Sequence, residues 1–156
     1  MAPSALAQLS YDAAVRSLDL QERAVEQLRA RTATLLAASS LTASFFGAQT
    51  IQRAGGLGLQ GALALASLVG SIGVCIYILL PKSTYVFGLS GQEIYEDLNE
   101  LSDDDEIRRR LIYWLGLFWT RNQTEIETLD RWYLAAAIAF MLQLMLWSLA
   151  LTTTIA

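Results

Sequence analysis

Histidine is absent from the 156 residues, and cysteine occurs once, at Cys75. The first absence removes imidazole metal ligands, histidine general bases and histidine pH switches. The second rules out a disulfide within the chain, and no neighbour of Cys75 in the sequence would activate its thiolate. Charge is scarce as well: 17% of residues are charged against 54% hydrophobic, and the net charge is −4. That balance does not suit a generally basic chain, so nucleic acid is not expected as a partner. Also missing are a nucleophile beside a base, a carboxylate pair sharing a cleft, and ligand-spaced acids for a metal. No catalytic residue, cofactor or metal ligand is therefore expected, and the chain reads as a non-enzyme.

The little charge present is segregated. All 15 acidic residues and ten of the 11 basic ones lie in Met1–Arg31 or Lys82–Arg131, and the remaining one is Arg53. Between them run three uncharged stretches, Thr32–Gln52, Ala54–Pro81 and Trp132–Ala156. A soluble helix keeps a charged outer face, and these stretches have none. The heart of the second, residues 57–80, is long enough as a helix to cross a hydrocarbon layer of about 30 Å. The expected fold is all-α: one integral membrane helical bundle with spans at 32–52, 57–80 and 132–152. Two of those helices extend into a cytoplasmic helical stalk formed by 1–31 and 82–131. The polar, mixed-sign first 31 residues do not suit a cleaved secretion signal.

The spacing predicts a helix from about Leu9 running unbroken into the first span. Leu18, Val25, Leu28, Thr32 and Leu35 fall on one stripe, with Asp19–Arg23 and Glu26–Arg29 as side-chain pairs on other faces. The first span carries Ser39, Ser40, Ser44 and several threonines. Small polar residues let helix backbones approach and hydrogen-bond, so this span is expected inside the bundle, with Ser40 and Ser44 as interhelical or pore candidates. Gly55, Gly56 and Gly58 mark a short hairpin, where glycine supplies positive φ cheaply. The stretch lacks the lysine and spacing of a phosphate loop. In the second span Ala62, Ala66 and Gly70 form a small-residue row able to meet the first span or another copy. Pro81 stops that helix, with Tyr77 and Tyr85 suited to an aromatic belt.

After a polar connector, in which Gly91–Leu101 can form a short helix, Ser102 can cap the next one. The carboxylates of Asp103–Glu106 favour its positive dipole end. From Asp103 to about Leu151 there is no proline and one glycine, Gly116, so one long helix is predicted. Ile107, Leu111, Trp114, Phe118, Ile126, Leu129 and Tyr133 form its apolar stripe, interrupted by Asn122, which can set register against the N-terminal helix. Gln143 is the strongly polar side chain near mid-depth of the third span. Its amide needs a partner, either across helices or lining a pore. Trp147, deeper in the same span, can face a neighbour. Arg108, Arg109 and Arg110 spread around their helix as a solvated face or as partners for an acidic helix. Alternatively they bind the phosphate of a ligand or of membrane lipid.

Positive charge sets the orientation. Ten Lys and Arg residues fall on one side and Arg53 alone on the other, which puts the N-terminus and the 82–131 region in the cytoplasm. The C-terminus then lies outside. Gln21–Leu36 flows directly into a span, Ile78-Leu-Leu-Pro-Lys82 follows the second span, and Asn122 precedes Leu129-Asp-Arg-Trp-Tyr133 at the third. This layout resembles the small bacterial transmembrane effectors of Pycsar anti-phage systems and the related SLATT membrane domains. The resemblance implies a homo-oligomer in the bacterial inner membrane that perturbs or permeabilises the bilayer. The trigger would be a cytoplasmic signalling protein or nucleotide second messenger, although no cyclic-nucleotide-binding domain is recognisable here. A membrane scaffold that recruits a partner through its helical stalk is the alternative.

Overall fold

The computed structural model describes residues 3–54, 56, 58–81, 85 and 103–153. Among them are three α-helices and no strand: α1 (Pro3–Ala54), α2 (Leu59–Leu79) and α3 (Asp104–Thr153). The expected helix over 91–101, a cap at Ser102 and the lysine at 82 lie outside the described residues. Two of the helices, α2 and α3, are long and apolar enough to cross a membrane. The serine- and threonine-rich part of α1 does not meet the same test of composition.

α1 continues for 52 residues because nothing in it breaks a helix: after Pro3 it has no proline and a single glycine, Gly47. It ends at Ala54, ahead of the glycines. Those glycines do not act through a left-handed backbone where they are described. Gly58, at the N-terminus of α2, has φ −70 and ψ 179, extended geometry open to any residue. Its carbonyl accepts the Ala62 N–H at 3.0 Å, which starts the helix. At the other end Leu80 turns to φ −59, ψ 134, the conformation favoured before proline, while its N–H still donates to the Ile76 carbonyl at 2.9 Å. α3 is capped by Asp103, whose Oδ1 accepts the Asp105 N–H at 3.1 Å.

The chain divides into two compact units, Met1–Glu26 with Lys82–Glu127, and Gln27–Pro81 with Thr128–Ala156. α1 and α3 each contribute one part to both. In the first unit they run parallel. Gln8 and Tyr11 border a cleft with Ile107 and Leu111, and Gln21 reaches Trp119 and Gln123. The second unit packs three helices. Gln143 of α3 bonds to Ser39 of α1, and Trp147 of α3 touches Gly47 of α1, again parallel. α2 is antiparallel to α3, with Ser67 at Ala139 and Tyr77 at Trp132.

Burial along α3 recurs every seven residues, at Leu115, Asn122, Leu129, Ala136, Gln143 and Ala150. Leu18, Val25, Thr32 and Ser39 repeat at the same interval on α1. That period is the one that keeps a seam facing its partner along a left-handed supercoil. The expected stripe of α3 included Trp114, but it is Leu115 that is buried, at 4% exposure, whereas Trp114 is 36% exposed. The seven-residue register through Asn122 selects Leu115. Asn122 does not interrupt the seam; at 1% exposure it is part of it.

Candidate functional site

The second unit holds an unusual mixture: apolar helices whose buried seam is small and polar. Thr32, Ser39, Thr50, Ser71 and Gln143 are buried there, beside Ala43, Ala64, Ala136 and Ala150. Two side chains tie the helices through main-chain carbonyls. Gln143 Nε2 donates to the Ser39 carbonyl at 3.0 Å, linking α3 to α1. Ser67 Oγ donates to the Ala139 carbonyl at 2.8 Å, linking α2 to α3. A helical carbonyl already accepts from the residue four positions on, so each tie uses its second lone pair. Thr32 and Thr50 instead donate to carbonyls of their own helix, Leu28 and Phe46, both at 2.8 Å.

One turn beyond Gln143, the seam changes character. Trp147 is fully buried against Ala64 of α2 and Ala150 of its own helix, with Phe46, Leu65 and Leu146 around it. Its ring lies 3.4 Å from where a Cβ on Gly47 would stand. A glycine on α1 and an alanine on α2 thus make the notch that takes the largest side chain of the core. Three polar atoms in this region are buried without a partner: Ser39 Oγ, Gln143 Oε1 and Trp147 Nε1. A buried unpaired polar group costs roughly 1–3 kcal/mol, so this seam is less stable than its packing alone suggests.

The sequence-predicted residues separate into two sets. Gln143 lies in the seam. Ser40, Ser44 and Gly70 lie on the outside of the single chain. Ser40 and Ser44 each donate at 2.9 Å to the carbonyl four residues back, Leu36 and Ser40 respectively. A Cβ on Gly70 would meet nothing within 4 Å. The row Ala62, Ala66, Gly70 is therefore turned away from the first span. The small-residue face that α2 buries is Gly61, Ala64, Ser71 and Cys75.

No family model, curated protein or solved structure matches this chain. The arginines must be read from their own surroundings. Arg108 is half-buried, 3.9 Å from Asp105, and shares a cleft of about 270 Å³ with Asp104, Gln8 and Tyr11. Its charge faces the Asp105 carboxylate, and Asp104 adds a second negative charge to the same cleft. Arg109 and Arg110 are exposed. The pairs expected on α1, Asp19–Arg23 and Glu26–Arg29, form no ion pair among the described residues, and Arg29 Nε is buried without a partner.

Sequence reasoning did not single out Ser39, Gln21 or the Gly47–Trp147 notch. The seven-residue interval linking Leu18, Val25, Thr32 and Ser39 was the available signal for Ser39. Gln21 was legible only as a polar residue on a helix. In the structure it is buried, and its Nε2 donates to the Trp119 carbonyl at 3.0 Å and to Gln123 Oε1 at 3.2 Å.

Proposed function

We propose that this chain is a non-enzymatic, oligomeric membrane effector that perturbs or permeabilises the bacterial inner membrane on a cytoplasmic cue. The observation that carries the membrane part is outward-facing apolarity. Only 22% of the most apolar stretch is buried in α2, and the same fraction in α3. Leu63, Val69 and Ile76 on α2, and Leu134, Ile138 and Met145 on α3, are roughly half exposed or more. A core helix of a soluble protein hides such side chains, whereas hydrocarbon solvates them.

On this reading the spans are 32–52, 57–80 and 132–152, with the N-terminus cytoplasmic and the C-terminus outside. The ten-to-one distribution of Lys and Arg supports that orientation. The edge-on contact of Tyr77 with Trp132, ring centroids 5.7 Å apart where α2 ends and α3 enters the apolar region, supports the depth of that boundary. Aromatic side chains favour that depth. α1 crosses in spite of its composition because two apolar helices flank it and the hydroxyls of Thr32, Thr34, Ser40, Ser44 and Thr50 donate to its own carbonyls.

The effector part rests on the layout shared with Pycsar and SLATT-type membrane proteins and on the polar outer face of α1. Ser40 and Ser44 are turned out of the three-helix unit, and small side chains there allow the close approach of a helix from another copy. The scaffold alternative would recruit a partner through Ile107–Leu129. That stripe is at least partly occupied within the chain, with Leu115 and Leu129 buried. Inducing expression while following membrane potential tests the effector reading. The expected result is depolarisation; an unchanged potential, with the neighbouring signalling gene present as well, contradicts it.

A further inference from the structure

Among the described residues of the first unit, two exposed faces match each other. On α3, Tyr113 (71% exposed), Trp114 (36%) and Leu117 (59%) are bare, bounded by the exposed Arg110 and Arg121. Aromatic groups in such density, rimmed by arginine, are the composition of an interface core rather than of a solvated helix. On α1, Leu9 (59%) and Leu20 (60%) are exposed beside Asp12, Arg16 and Asp19, with Glu22 exposed nearby. One face is aromatic and basic; the other is aliphatic and mainly acidic.

The two faces also match in height. α1 and α3 are parallel in this unit, with Gln21 level with Trp119–Gln123 and Tyr11 level with Ile107–Leu111. Asp12 is therefore level with Arg110, and Asp19 and Glu22 bracket the level of Arg121. Arg16, the odd cation of the acidic face, falls level with the rings of Tyr113 and Trp114, where a guanidinium is attracted to an aromatic face. Arg110, Arg121, Asp19 and Glu22 form no ion pair among the described residues, so these charges are free to pair elsewhere.

We infer that the partner is a second copy of this chain, with the α3 face of one copy docked on the α1 face of the next. Copies related by a rotation axis that runs along the parallel helices of this unit keep equal heights opposite each other. That is the condition for Asp12 to meet Arg110 and for Asp19 and Glu22 to meet Arg121. Unlike faces meeting head to tail generate a ring when the rotation closes. This rests on the membrane reading for its common orientation, and it names the contact through which the proposed oligomer forms.

Cross-linking of the full-length chain in native membranes tests it. In a Cys75→Ser background, Leu20→Cys and Leu117→Cys are introduced singly and together, then treated with a short bifunctional maleimide. The double variant is expected to give a ladder of dimer, trimer and larger species, and each single variant none. Adding Arg121→Glu to the double variant should reduce the ladder about tenfold, and Asp19→Arg with Glu22→Arg should restore it. A dimer from either single variant means like faces meet, and overturns the inference. So does a missing ladder, including the case in which Leu117→Cys is shielded by lipid from an impermeant reagent. Fractionation of the same samples separates the two readings. A pelleted chain without a ladder loses only the interface, while a ladder from a soluble chain keeps the interface and contradicts the membrane.

Discussion

The same two helices solve different problems in the two units. In the first, α1 and α3 bury Leu18, Val25 and Leu115, large aliphatics with Gln21 and Asn122 between them. In the second, past Leu28 and Leu129 at its edge and apart from Trp147, they bury Thr32, Ser39, Ala43, Ala136, Gln143 and Ala150, and leave Leu41, Leu134, Ile138 and Met145 outside. Water drives large apolar groups together, so an aqueous seam is built from leucine and valine. Hydrocarbon does not distinguish a leucine in the seam from one outside it. Helices there associate through close approach and hydrogen bonds, which favours small and polar seams. The last large aliphatics of the α1 and α3 seam are Leu28 and Leu129, within about a turn of the last charges, Arg31 and Arg131. Patterning of the seam and patterning of charge thus change at nearly the same place, as the proposed passage from water into hydrocarbon requires.

The sharpest way to break this comparison is at the largest side chain that the second unit buries. Trp147→Ala should cost about 3–5 kcal/mol of stability in detergent unfolding, because three helices close around the ring. A cost under about 1 kcal/mol would mean the notch is not what joins them. Next, Leu115→Ala should cost about 2–5 kcal/mol, whereas Leu41→Ala, at 72% exposure, should be close to neutral in lipid. Equal losses at the two positions would erase the distinction between the units. Smaller again is the glycine pair. Gly47→Val pushes into the Trp147 ring and should cost about 1–3 kcal/mol, while Gly70→Val meets open space and leaves the single chain's stability unchanged. The smallest effect belongs to Gln143→Leu, about 0.6 kcal/mol, since intramembrane hydrogen bonds contribute modestly. Thermal unfolding in one detergent, run on all of these variants, ranks them directly.

Much of the fold was legible because its signals are long. Two helices of 50 residues or more follow from the near absence of proline and glycine, and α2 from an uncharged run bounded by Arg53 and Lys82. The stripe of α1 through Leu18, Val25, Leu28 and Thr32 was readable at three- and four-residue spacing. The stripe of α3 was harder because residues 111–119 are apolar on every side, so periodicity alone could not choose Leu115 over Trp114. The small-residue row failed for a related reason. α2 has small side chains on several faces, and only the partner helices decide that Gly61, Ala64 and Ser71 are buried and Ala62, Ala66 and Gly70 are not. The notch at Gly47 depends on two residues a hundred positions apart, which no local pattern reports.

The account depends most on three crossings, including one by α1, whose composition favours it least. Labelling intact cells with a membrane-impermeant maleimide tests this directly, using single cysteines at Arg16, Arg53, Glu127 and Thr153 in a Cys75→Ser background. The predicted pattern is reaction at 53 and 153 only, with 16 and 127 reacting once the membrane is opened. Positions 16 and 53 reporting the same side would mean that α1 does not cross, and would contradict the three-span reading of the protein.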